Sequence, residues 1–211
     1  MGDRNQLLFV QSHAQLVKGP ILEVGSKDYG TTQDFRSLFP GEEYIGTDMF
    51  PGKGVDIVLD LTEDFERIDR ALQGKRFNTI ICMSVLEHCS DPFRMARNIE
   101  SLLTEEGVLL LGVPFVWEIH GYPDDYWRFT PNGVKRLFPG LDFETHAGSA
   151  WTSRDGESGK LDAISCSVSA SVHARKGTGW ALSPVPSPPC AEKSDCSGQC
   201  SVIATSSRPS C

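Results

Sequence analysis

The chain has 211 residues, 39% of them hydrophobic, which is enough for one well-cored domain and too few for two of ordinary size. Asp and Glu outnumber Lys and Arg by 28 to 20, a formal charge of -8, so the chain lacks the basic footprint of a nucleic-acid binder. The longest apolar stretch, Gly107 to Trp117, is well short of the ~20 residues of a membrane span and contains Pro114, and the N-terminus carries no apolar signal region; a cytoplasmic protein with no membrane association is expected.

From Gln6 to Val17 the apolar residues Leu7, Leu8, Val10, Ala14, Leu16 and Val17 follow a helical spacing that "KGP" ends. Short apolar runs then read as strands at "ILEV" (21–24), "YIGTD" (44–48), "VDIVLDL" (55–61), "FNTIICMSV" (77–85) and "GVLLLGVP" (107–114), of the kind buried on both faces in a parallel sheet. Between them helices are predicted over Thr32–Leu38, Glu63–Leu72 and Pro92–Leu103, the last with Phe93, Ala96, Ile99, Leu102 and Leu103 on one face. A further helix opens at Thr130 as N-cap and Pro131 as first residue. A sixth strand region lies in "LDFETHAGSA", and a seventh in "AISCSVSASVHAR", where Ile164, Cys166, Val168, Ala170, Val172 and Ala174 alternate with polar residues as in an antiparallel strand. Alternating strands and helices predict an α/β fold: a Rossmann-like, doubly wound, mostly parallel seven-stranded sheet with helices on both faces and the last strand antiparallel. The domain is expected to span 1–176, followed by a Ser/Pro/Cys-rich tail, 177–211, whose composition predicts disorder.

The loop after the first strand carries the functional signal. A dinucleotide fingerprint would need a glycine where Lys27 stands, and a Walker loop would need a lysine after Gly30. Glu23, at the end of that strand, would repel a pyrophosphate and attract an ammonium or sulfonium. About 25 residues on, Asp48 ends the second strand in the position of an acid that takes ribose hydroxyls. An adenosine joined to a cationic amino acid, as in S-adenosylmethionine, satisfies both carboxylates.

In order along the chain, "LEVGS", "YIGTDM", "VDIVLDL", "FNTIICMSVLEHCSDP" and "EEGVLLLGVPF" together resemble the five motifs of the class I S-adenosylmethionine-dependent methyltransferases, over roughly Gly19 to Phe143. The resemblance implies that Glu23, Gly25 and Ser26 hold the methionine end of the cofactor and Asp48 the ribose, that Met49 lies on the adenine face, that Asp60 and Leu61 meet the adenine edge, and that Met83 and Ser84 line the floor beneath the methyl group. Lys27 departs from the glycine of many members. The resemblance also makes "HGYPDDYWRFTPNG" (120–133) a border of the acceptor pocket, with His120, Tyr122, Asp125, Tyr126 and Arg128 assigned to acceptor recognition and His120 to a catalytic general base. Trp127 and Phe129 read equally as core anchors of the loop. Quinone-precursor O-methyltransferases that resemble this chain carry a Glu at the position of Ser84 and use it with a later Glu-His pair to bind a divalent metal. Here Ser84 removes one ligand, and Glu87 and His88 are read as caps of the following helix, so no metal is expected.

Seven cysteines, four of them in the last 22 residues without a paired C-x-x-C spacing, predict neither a disulfide framework nor a zinc site. The expected activity is methyl transfer from S-adenosylmethionine to a small-molecule or sugar-type acceptor. The alternative, motivated by Lys27 and the tail, is a non-catalytic methyltransferase-like module that binds a partner protein; a nicotinamide oxidoreductase is disfavoured by Lys27.

Overall fold

In the computed structural model, residues 4–115, 117–121, 123–142, 150–153 and 164–167 are described. The strand β1 (Ile21–Val24) is short, apolar at three of its four positions and buried throughout, which only a strand paired on both edges and covered on both faces requires. It pairs in parallel with β2 (Tyr44–Asp48) on one side and β4 (Phe77–Met83) on the other. The two-residue strand β3 (Ile57–Val58) extends the sheet beyond β2, and β5 (Leu103–Gly112) extends it beyond β4. The order is β3-β2-β1-β4-β5, all parallel. Succession therefore runs outward from β1 one way and then restarts at β4 on the other side, so that β1 and β4 flank the switch point at which open α/β sheets form a crevice.

Period-two alternation divides the strand residues between two apolar layers. Leu22, Val24, Ile80, Cys82, Leu109 and Leu111 join the layer formed with Ile68 and Leu72 of α2 (Phe65–Ala71) and its C-cap, Met95, Ala96, Ile99 and Leu102 of α3 (Pro92–Leu102), and Val134 and Leu137 of α4 (Pro131–Leu137). Ile21, Ile81, Met83, Val108 and Leu110 point the other way and pack with Phe9 and Val10 of α1 (Arg4–Ser12) and with Phe35 and Phe39. Both later helices start as their sequences dictate: Asp91 Oδ1 accepts from the Arg94 amide at 2.9 Å and Thr130 Oγ1 from the Gly133 amide at 3.0 Å, each with proline as the first helical residue.

Three expectations change. The helix predicted over Thr32–Leu38 is a single 3₁₀ turn, Arg36–Leu38, because Asp34 takes the Ser37 amide and hydroxyl locally and Pro40 stops any continuation within two residues. The strand predicted over 55–61 shortens to Ile57–Val58, since Asp60 Oδ1 turns the chain by accepting from the Thr62 amide and hydroxyl at 2.8 and 2.7 Å. The last two described strands, β6 (Ala150–Ser153), which meets the predicted sixth region only at Ala150, and β7 (Ile164–Ser167), pair antiparallel with each other in a two-stranded ladder, so among the described residues the parallel sheet has five strands. Residues 143–149 of the predicted sixth strand region, residues 163 and 168–175 of the predicted seventh strand, the boundary at 176 and the tail 177–211 lie outside the described residues. Among the described residues no helix is long and apolar enough to cross a membrane.

Asn98 ties α3 to the turn after β3: its Nδ2 donates to the carbonyls of Leu61 and Glu63 at 2.8 and 2.9 Å from a buried position. Asn98→Ala should lower unfolding stability by about 2 kcal/mol, two hydrogen bonds at ~1 kcal/mol each, read as a lower urea midpoint with unchanged slope.

Candidate active site

At the carboxyl ends of β1, β2 and β4 the sheet opens into a cavity of about 230 Å³. Its shape depends on two residues in the left-handed region. Gly25, directly after β1, has φ +77°, and a Cβ there would stand 2.4 Å from Val85 Cγ2, so only glycine allows the chain to turn under the loop that follows β4. The amides of Gly25 and Ser26 both donate to the Thr47 carbonyl, at 2.8 and 3.0 Å, which fixes the turn to β2. Ser84, directly after β4, has φ +53°, a strained conformation for a side-chain-bearing residue, and is held by its amide on the Gly112 carbonyl at 2.8 Å and by Gln6 Nε2 donating to its hydroxyl at 2.6 Å.

Three carboxylates reach the cavity from three successive strand ends. Glu23 is buried with Tyr44, whose hydroxyl donates to Oε2 at 2.7 Å. Burial pushes its carboxyl up to about 7, against the opposing pull of the Tyr44 hydrogen bond and the Arg36 guanidinium. Asp48 is buried at the end of β2, with Oδ1 accepting from the Phe50 amide at 2.9 Å, and Asp60 follows β3 with Oδ1 taken by Thr62. Leu59, Leu61, Thr62, Met49 and Phe50 complete this side, and Met83, Ser84 and Val85 the floor.

Lys27 lies on the cavity wall. Its ammonium lies 5.0 Å from the centroid of Tyr29 and 5.5 Å from that of Phe50, both on the cavity wall. Its stem occupies the space over Gly52, where a Cβ would come within 2.9 Å of Lys27 Cγ and Cε. The side chain is thus accommodated by a missing one across the loop.

The second loop is sewn to the segment after β4. The amides of Tyr126 and Trp127 donate to the Glu87 carbonyl at 2.7 and 3.2 Å, and the Trp127 indole N–H to the Cys89 carbonyl at 2.7 Å. Asp125, almost inaccessible, accepts from Arg128 Nη2 at 2.7 Å and from the His120 amide at 2.9 Å, and the Arg128 guanidinium holds its carboxyl well below the usual carboxylate range. Arg128 also donates to the carbonyls of Trp117, Glu118 and Trp127.

The cavity brings together Glu23, Gly25, Asp48, Met49, Asp60, Leu61, Met83, Ser84 and Tyr126 of the residues expected from sequence. Ser26, His120, Asp125 and Arg128 do not line it. Ser26 packs toward Gly46 on β2; Asp125 and Arg128 spend their polar groups on the loop itself; His120 stands behind the wall, edge-on to His88 with ring centroids 4.9 Å apart. Tyr122 lies outside the described residues. The helix-cap reading of Glu87 and His88 also fails, since Asp91 caps α3 and Glu87 is buried beneath the second loop. Of the residues missed, Thr62 was legible in the D-x-T spacing of an Asx turn. Lys27, Tyr29, Phe50, His88 and Asp124 reach the wall through loop geometry that no periodicity reports.

The family model for the methyltransferase domain matches residues 6–155. The chain belongs to this family. The methyltransferase family expected from the five ordered motifs therefore holds. Two curated relatives, ubiquinone biosynthesis O-methyltransferases of Actinobacillus pleuropneumoniae, are each 34% identical to this methyltransferase over 58 residues, 28% of this chain and 25% of theirs, so the match spans about a quarter of their length. Among solved structures, the 1,6-didemethyltoxoflavin-N1-methyltransferase of Burkholderia thailandensis is similar at 14% identity and a TM-score of 0.49, covering 67% of this chain and 68% of that one. A methyltransferase from Archaeoglobus fulgidus is similar at 17% identity and a TM-score of 0.49, over 75% and 82% of the two chains.

Two outcomes follow from the site's electrostatics. Since the folded Glu23 carboxyl titrates near 7 and the unfolded one near 4.5, the fold binds an extra proton between these values, and stability from this group is full below pH 4.5 and lost as pH rises through 7. Glu23→Gln should remove that loss, gaining on the parent by up to about 3 kcal/mol between pH 4 and 8 in urea titrations. Arg128→Ala should lower stability by about 2 kcal/mol or more, because the buried Asp125 loses its guanidinium partner, while S-adenosylmethionine affinity measured by calorimetry stays within a few-fold.

Proposed function

We propose that this methyltransferase binds S-adenosylmethionine across the carboxyl ends of β1 to β4 and transfers its methyl group to a small-molecule acceptor that enters beside His88, Pro123, Asp124 and Tyr126. The observation that carries the reading is the convergence of Glu23, Asp48 and Asp60 on one cavity under the Gly25 turn. A site walled by three acids repels polyanions and suits a cationic ligand rich in hydroxyl and amine donors.

The residues present fit the cofactor. Gly25 turns the chain at φ +77°, so that backbone without a side chain borders the cavity at the end of β1. Glu23 supplies a carboxylate for the ammonium of the methionine end, and its titration near 7 means that a cation beside it favours the ionised form. Asp48, with Oδ1 committed to Phe50, keeps Oδ2 for the ribose; Met49 offers an apolar face to the adenine, and Asp60, Leu61 and Thr62 border its edge. Met83 and Ser84 form the floor beneath the transferred methyl group. When bound, S-adenosylmethionine supplies an electrophilic methyl group on a sulfonium, open to in-line displacement.

The protein's contribution is then to hold an acceptor in line on the far side. Positioning of that kind is worth up to ~7–11 kcal/mol in favourable systems, so no charged group need touch the methyl. Asp124 and Tyr126 meet through the Tyr126 hydroxyl, which donates to Asp124 Oδ2 at 2.9 Å, and together they place a polar, ring-bearing edge at the open side, suited to a small hydroxylated molecule. The partial match to the ubiquinone biosynthesis O-methyltransferases supports oxygen as the acceptor atom. His120 lies behind this edge, and the loop arginine serves to hold the edge in place.

Asp48→Ala should weaken S-adenosylmethionine binding at least tenfold with little change in the unliganded melting temperature, measured by calorimetry and thermal unfolding. Unchanged affinity in this variant would overturn the cofactor placement. Undiminished binding without release of S-adenosylhomocysteine for any hydroxylated acceptor would support the partner-binding alternative instead.

A further inference from the structure

We propose that Glu87, His88 and His120 form a binding site for one divalent transition-metal ion, built where the second loop meets the segment after β4. Each offers one ligand atom, and the three atoms lie within 4.8 Å of one another, near enough for ~2.0–2.2 Å metal bonds after small side-chain movements. The residues come from two segments far apart in sequence that the Tyr126 and Trp127 amides clamp together through the Glu87 carbonyl.

Three features suit this site to a cation. Glu87 is 1% exposed, its Oε2 has no hydrogen-bond partner among the described residues, and His88 Nε2 lies 3.9 Å from Oε1, too far for a hydrogen bond. A lone carboxylate in such a place is costly. The two imidazoles are set in the tautomer that ligation needs. His88 Nδ1 lies 2.6 Å from the Asp124 carbonyl, and since a carbonyl only accepts, the proton sits on Nδ1 and the lone pair on Nε2, on the Glu87 side of the ring. His120 Nδ1 lies 3.0 Å from the Glu118 carbonyl and 3.2 Å from the Asp125 carboxylate, which assigns its Nε2 in the same way. A carbonyl behind one imidazole and a carboxylate behind the other are the supports that orient metal-bound histidines, and the carboxylate is itself locked by Arg128.

Two imidazoles and one carboxylate select borderline ions such as Zn²⁺, Fe²⁺ or Co²⁺ over Mg²⁺. The set differs from that of the quinone-precursor O-methyltransferases, because position 84 holds serine and an imidazole from a separate loop replaces the second carboxylate. His88 also lines the cavity, so a bound ion would stand at its wall with positions left for water or an acceptor oxygen. Metal binding itself does not depend on the cofactor reading.

The test uses the full chain, stripped with chelator, and no S-adenosylmethionine. Calorimetry with Zn²⁺ alone should show one tight equivalent, at least a hundredfold tighter than Mg²⁺, and Co²⁺ should give visible ligand-field bands without thiolate charge-transfer absorption. Glu87→Gln and His120→Ala should each weaken Zn²⁺ at least tenfold, while replacing Cys190, Cys196, Cys200 and Cys211 by Ser should leave the first equivalent unchanged. If Glu87→Gln does not fold, His120→Ala alone decides. No binding by the parent at millimolar Zn²⁺, a thiolate signature for Co²⁺, or equal affinity in His120→Ala would overturn the site.

Discussion

Four residues, Ile21 to Val24, hydrogen-bond along both edges to parallel neighbours, and this double pairing is the constraint from which the site follows. Because β2 and β4 lie on opposite sides of β1, the chain segments that leave β1 and β4 at their carboxyl ends diverge, and a crevice opens between them without any side chain being removed to make it. Gly25 and Ser84 are the first residues beyond those two strands, and both hold positive φ. The sheet thus decides where the cavity is, and the two left-handed turns decide its floor.

The cavity is made at a cost to the fold. Glu23 and Glu87 are buried carboxyls whose ionised forms are disfavoured by their surroundings, and Ser84 sits in a conformation that glycine would adopt more easily. All three cluster within the stretch where β1 and β4 end; Glu100 on α3, whose carboxyl burial also pushes up to about 7, and Gln73, at φ +56°, lie apart from them. Three unfavourable local choices gathered at one sheet edge fit the proposed ligand site there.

The second loop shows how a charge can matter to a site it does not touch. Arg128 and Asp125 are sequestered by one another and by backbone carbonyls, yet through them His120 is brought beside His88 and the Asp124–Tyr126 edge is set over the cavity. Their influence on any reaction passes through position, which is why the loop's polar composition alone misassigns them as ligand contacts.

The amino-acid sequence by itself determined the succession of parallel strands and helices, the caps at Asp91 and Thr130, and the acids at the strand ends, because these depend on local pattern: apolar runs, proline beside a capping residue, and a carboxylate after a buried strand. Five motifs in order were enough to name the family, and of the cofactor residues they imply, all but Ser26 line one cavity. What only the tertiary structure decided was which loop residues face that cavity and which face each other. Arg128 could have reached outward or inward along the same backbone, and the buried Asp125 settled the choice; Glu87 and His88 read as caps until the loop closed over them. Short-range pattern constrains a residue's neighbours along the chain, but a side chain in an irregular loop takes its role from partners 30 or 40 residues away, as His88 does from Asp124, and that pairing exists only once the sheet has placed both segments.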